Sequence, residues 1–159
     1  MAYIDVLPLA TMKTYLRIDD TQTETDAEIT SMIKSALAYI EKQTSIMVYA
    51  RDKDFTVVNS CVRVYDTPIN SVVAPASVND YDIEVRRLYN IYTLDDADVD
   101  TLTLNVGYTL ETDVPTELID VAKVMVKCMF YEQETNQTFK EMLPSWANSF
   151  IDTNRRFIF

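Results

Sequence analysis

Between Thr101 and Glu134 the spacing of apolar positions changes period once. Leu102, Leu104 and Val106 alternate with Thr101, Thr103 and Asn105, the two-residue repeat of a strand with one buried face. After Gly107 and an acidic turn, Pro115 and Glu117 mark a helix start: a fixed φ with no N–H to satisfy, then a negative charge near the positive end of the dipole. From Leu118 to Tyr131 the polar residues are Asp120, Lys123 and Lys127, three and four apart and therefore on one narrow stripe. So apolar a helix must be covered on most sides, by the chain's own core or equally well by neighbours in a symmetric oligomer. Its candidate subunit-packing positions are Leu118, Val121, Ala122, Met125 and Met129.

The rest of the pattern surrounds this strand and helix. Leu9, Met12 and Leu16 fit a short amphipathic helix after Pro8, followed by the loop LRIDDTQTETD, rich in Asp and Thr that bond their own backbone. Thr25 or Asp26 can cap a second helix, in which Ile29, Met32, Ile33, Ala36, Leu37 and Ile40 keep helical spacing to about Thr44. From Ile46 to Tyr92 the pattern becomes the β-branched and aromatic runs FTVV, CVRVY, INSVV and LYNIYTL, punctuated by Pro68 and Pro75, with Asn79 to Asp82 read as a turn. Beyond a polar link from Gln133 to Thr138, a short helix from Phe139 to Leu143 is broken by Pro144, and a second piece carries Trp146 and Phe150.

The expected fold is α+β: mainly a helical bundle with an inserted small antiparallel sheet and a C-terminal extended arm. One domain spans 1–150, with helices near 9–17, 25–44, 115–134 and 139–150 and a β-rich insertion at 46–108; the arm is 151–159. In that arm Arg155, Arg156, Phe157, Ile158 and Phe159 form an apolar, β-prone end that must be covered. A last strand docked on the parent domain and a segment added to a partner both satisfy that need.

Charge and chemistry narrow the function. Of a formal charge of −11, residues 95–120 carry −8, through Asp95, Asp96, Asp98, Asp100, Glu111, Asp113, Glu117 and Asp120. Such a stretch repels phosphate, which disfavours sequence-specific nucleic-acid binding. One glycine cannot build a Walker A loop or a dinucleotide fingerprint, and the absence of histidine removes imidazole bases, triads and the usual zinc ligand. Asp96, Asp98 and Asp100 have the spacing that opens a calcium loop, but Thr101 stands where glycine is needed and Gly107 where a bidentate Glu is needed. No enzyme, cofactor or metal is expected. Cys61 and Cys128 read as separate buried thiols, Arg86 and Arg87 as surface charges on a strand, and Trp146 as a core or docking residue. Lys123 and Lys127 interrupt the longest apolar run, so no membrane span is read, and the acidic start MAYIDVLPLA makes secretion unexpected.

The order of elements resembles the head-to-tail connector, or adaptor, family of tailed bacteriophages. Leu9, Met12, Lys13, Tyr15, Leu16, Arg17, Ile18, Asp19 and Asp20 are similar to its short helix and L-R-I/V-D turn. Asp26, Ile29, Ile33, Ala36, Tyr39, Ile40, Glu41 and Thr44 follow its A-x-x-Y-I/V-E-x-x-T helix, and Pro68, Ile69 and Val72 its P-I/V-x-x-V strand. Val106, Gly107, Tyr108, Val114, Pro115, Leu118, Ala122, Tyr131 and Glu132 follow its strand, G-Y turn and V-P helix. Ser45 departs from the usual glycine, and Gln133 with Glu134 from a basic residue; Leu143, Pro144 and Arg155 match the family's C-terminal pattern only loosely.

The resemblance implies a virion protein of the neck, assembled in the host cytoplasm. It would be a homo-oligomeric ring, usually of twelve copies, joining the portal protein to a stopper or tail-tube protein while DNA passes through without specific binding. On that reading Asp95, Asp96, Asp98 and Asp100 are lumen-facing candidates, and Arg155 to Phe159 form a portal-binding arm. The alternative is a stand-alone acidic cytoplasmic module that meets a basic partner or mimics nucleic acid.

Overall fold

Residues 26–44 form the longest helix, and its apolar stripe explains why the others gather on it. The computed structural model describes residues 2–74, 81–86, 89–94, 99–131 and 139–155. The helices are α1 (Tyr3–Val6), α2 (Leu9–Leu16), α3 (Asp26–Thr44), α4 (Thr116–Tyr131), α5 (Phe139–Met142) and α6 (Ser145–Asn154). Ile29, Ile33, Ala36, Leu37 and Ile40 are fully buried along one face of α3, which packs against α1, α2, α4 and α6. Each of the isoleucine and leucine side chains contributes about 1.5–3 kcal/mol by leaving water.

Leu118, Val121, Ala122 and Met125 of α4 are also fully buried, inside this same helical core, with Met129 partly buried against it. This corrects their assignment to subunit packing: α3 and the helices around it already occupy that face of α4. The exposed positions of α4 are Thr116, Glu117, Asp120, Lys127 and Tyr131, with Lys123 half-buried and its Nζ 3.1 Å from Asp120 Oδ1.

Between α3 and α4 the chain makes two three-stranded antiparallel sheets rather than one. The strands are β1 (Arg51–Thr56), β2 (Cys61–Val64), β3 (Ile69–Ala74), β4 (Tyr81–Val85), β5 (Asn90–Leu94) and β6 (Thr101–Val106), ordered β1-β6-β3 and β2-β5-β4. Leu102, Leu104 and Val106 of β6 face Val62, Val64, Tyr92 and Leu94 of the other sheet across a second core. The opposite face of β6 is polar: Thr103 donates to Asp54 (2.7 Å), Asn105 to Asp52 (2.7 Å) and Asn70 to Asn105 (2.9 Å).

Three boundaries differ from the sequence reading. Tyr81 and Asp82 belong to β4 rather than to a turn: they pair with Leu94 and Thr93 of β5 at an edge of the sheet, and every position of β4 after Tyr81 is exposed. The two helical pieces expected on either side of Pro144 are α5 and α6, but α6 continues to Asn154, so the segment from 151 begins as helix and not as an extended arm. Pro115 precedes α4 and accepts from the N–H groups of Leu118 and Ile119 through its carbonyl.

Candidate functional site

The insertion is fastened to the helical layer by a buried ionic cluster. Glu41, near the end of α3, is 4% exposed, and its carboxylate accepts four hydrogen bonds. Oε1 takes the backbone N–H of Val48 (2.8 Å) and Nη1 of Arg51 (3.2 Å); Oε2 takes Nη2 of Arg51 (2.8 Å) and the hydroxyl of Tyr3 (2.5 Å). One carboxylate therefore joins α1, α3 and β1. Burial, then the hydrogen bond to Glu41 and its charge, push the Tyr3 hydroxyl up to about 12. Burial alone would lower the Arg51 guanidinium, but the Glu41 carboxylate outweighs it and holds Arg51 above its ordinary value. The Arg51 guanidinium also lies over the Tyr49 ring, 4.7 Å from its centroid.

A second buried charge shapes the loop after α2. Lys13 is 3% exposed; its Nζ donates to the carbonyls of Gln22 (2.7 Å) and Asp20 (3.1 Å) and pairs with Asp26 (2.9 Å) at the start of α3. Within the loop, the hydroxyl and then the N–H of Thr21 bond Asp19 and hold its carboxyl below the usual range. Both clusters fix elements in place and leave no open, reactive group. Sequence reasoning used Glu41 and Lys13 only as motif positions. The available signal was a charge flanked by core residues on helices whose other inward positions are apolar.

The remaining candidates are surface features. Asp100 is exposed at the start of β6, and Arg155 ends α6 in an extended conformation; Asp95, Asp96, Asp98 and Arg156 to Phe159 lie outside the described residues, as does Arg87. Arg86 is exposed and paired with Glu84. Among the described acids of this stretch, Asp100 precedes β6 while Glu111, Asp113, Glu117 and Asp120 follow it. Cys61 and Cys128 are half-buried thiols in different parts of the fold and form no disulfide with each other; the Cys128 thiol donates to the Met142 carbonyl (3.6 Å). Trp146 is 48% exposed and lines a groove of about 400 Å³ with Phe150, Glu117 and Asp120.

A groove of about 640 Å³ opens where the end of α2 meets the end of α4, lined by Thr14, Tyr15, Leu16, Arg17, Lys127 and Tyr131. Tyr131 donates its hydroxyl to the Leu16 carbonyl (2.9 Å) while most of its ring stays open. Among the described residues no group of three or more His, Cys, Asp or Glu is placed to hold a metal ion, and no helix is long and apolar enough to cross a membrane.

Solved structures share this architecture. The fold is that of chains from a particle neck. A chain from the neck of an empty gene transfer agent particle, computed with C6 symmetry, superposes with a TM-score of 0.75 at 14% identity, covering 100% of this chain and 94% of that one. A chain from the neck of the native particle, computed with C12 symmetry, gives 0.73 at 13% identity, covering 100% and 94%. One from the virion of the native particle gives 0.72 at 14%, covering 97% and 91%. No protein-family model and no curated protein matches the sequence.

Proposed function

We propose that this chain is a structural subunit of the head-to-tail connector of a tailed phage or phage-like particle. Copies form a ring, twelve in number, between the portal and the stopper or tail tube. The ring is a DNA conduit and an assembly platform with no catalytic role. The observation that carries this reading is the likeness of fold over the full chain and 94% of a neck chain, where a shared small motif would give partial cover. The neck computed with C12 symmetry supports the copy number. The charge of −11 supports a conduit that does not grip phosphate, with Asp95, Asp96, Asp98 and Asp100 turned to the lumen.

The C-terminal segment, Arg155 to Phe159, adds to an element of the portal. Its two arginines and three apolar residues suit strand addition, with main-chain hydrogen bonds supplying affinity and alternate side chains specificity. Deleting 155–159 should abolish co-purification with the cognate portal protein while the thermal transition of the domain is retained. Undiminished binding would reject the role of the segment. Failure of the full-length chain to bind the portal would reject the connector reading itself.

A further inference from the structure

We infer that the groove between the ends of α2 and α4 receives the Leu110–Asp113 turn of a second copy of this chain, and that this contact anchors one subunit to the next. The inference rests on the ring proposed above and names its interface.

The groove is unusual for so acidic a chain. Tyr15 and Tyr131 are open aromatic residues, 41% and 59% exposed, and Arg17 and Lys127 beside them are exposed cations without an ion-pair partner among the described residues. Arg17 stands in the left-handed conformation (φ 60°) that closes α2, a position where glycine is the unstrained choice. The adjoining depression, which shares Thr14 and Arg17, carries Asp19 and Asp20, and Asp19 is already bonded to Thr21. The lining of the groove itself is aromatic and basic, and the two acids lie outside it, in the depression on the far side of Thr14 and Arg17.

The complementary surface lies before α4. Leu110 is 58% exposed and is followed by a single 3₁₀ turn, Glu111–Asp113, whose acids are also exposed. An apolar side chain flanked by two carboxylates matches an aromatic groove flanked by two cations. Both are fixed to the same rigid rod but at opposite ends: the turn precedes Thr116, the groove includes Tyr131, and the sixteen residues of α4 hold them about 24 Å apart. One subunit cannot place its own turn in its own groove. Two copies in head-to-tail order can, and a heterologous contact of this kind generates a ring when the rotation closes. Copies each carrying −11 repel one another, so an interface that pairs opposite charges is the arrangement that lets them approach.

The test is a charge exchange in the full chain, assembled with its cognate portal protein and read by native mass and electron microscopy. R17E with K127E should raise the concentration needed for rings more than about tenfold, and E111K with D113K should do the same. All four changes together should restore assembly. These residues are solvent-exposed, so thermal transitions should stay close to that of the parent. Rings formed by either double variant as readily as by the parent, or no recovery in the fourfold variant, would overturn this interface while leaving the connector reading intact. A parent chain that forms no ring at all would overturn both.

Discussion

Gly107 is the only glycine in the chain, and its site admits no other residue. It adopts φ 112°, and a Cβ there would strike the carbonyl of Tyr49 and the nitrogen of Ala50, where the end of β6 passes the chain leaving α3. Gly107→Ala should therefore cost about 3 kcal/mol or more, because strain and collision add. Ser45 gives the opposite case. It closes α3 at φ 57°, a conformation in which a side chain is strained, and Ser45→Gly should stabilise the fold by about 1 kcal/mol. Chemical denaturation of the two variants beside the parent checks both signs. The departure from glycine at Ser45 was visible in the sequence, but its backbone conformation was not.

Tyr3 makes a pH prediction at the same scale. Its folded pKa, about 12, lies above the ordinary 10.0, so the neutral hydroxyl is the form the fold favours. The stability it contributes is fully present below pH 10 and is lost as pH rises from 10 to 12. Burial, with Tyr81 and Asp113 as the respective neighbours, raises Tyr92 and Tyr108 in the same direction. Tyr3→Phe should reduce the alkaline fall in stability without abolishing it. A denaturation series across pH 9–12 that is unchanged in the variant would show that the Tyr3–Glu41 bond does not carry this linkage.

At the scale of elements, what was legible was periodicity. The helices α2, α3 and α4 and the inward face of β6 follow directly from the spacing of Leu, Ile, Val and Met, and the core they form is the one their pattern implies. Strand β1 was only half visible. Arg51, Lys53 and Phe55 occupy its half-buried positions, so two long charged side chains lay their stems along apolar surface and mask the alternation. Strand β4 was read partly as a turn because its positions from Asp82 to Val85 are all exposed and leave no buried alternation to mark it, and α1 is too short for helical periodicity to register. The coverage of α4 could not be decided from one helix, since periodicity reports that a face is covered and not by what. Neither could the Glu41 clasp, which joins residues 38 and 10 positions apart. Glu41→Gln removes a buried charge from beside Arg51 and Tyr3, and should cost about 3 kcal/mol. Hydrogen exchange should then rise first in β1 and at Val48, whose N–H the carboxylate holds.

On the scale of the whole molecule, two layers with separate cores are held by buried charges, and the outer surface carries the features left for partners. The fold likeness to neck chains reaches from end to end, while identity stays at 13–14%, so architecture and not sequence is what this chain shares with them. In sequence the chain resembles the connector family only through scattered motif residues. Of the surfaces the sequence nominated, the apolar face of α4 is spent on the subunit's own core. The grooves at either end of α4 needed the tertiary structure, because each draws on helices far apart in sequence. The most direct measurement is the mass of the assembly formed when the purified chain is mixed with its cognate portal protein. The account predicts a closed ring of twelve copies seated on the portal; a chain that remains monomeric and unbound at every concentration would contradict it.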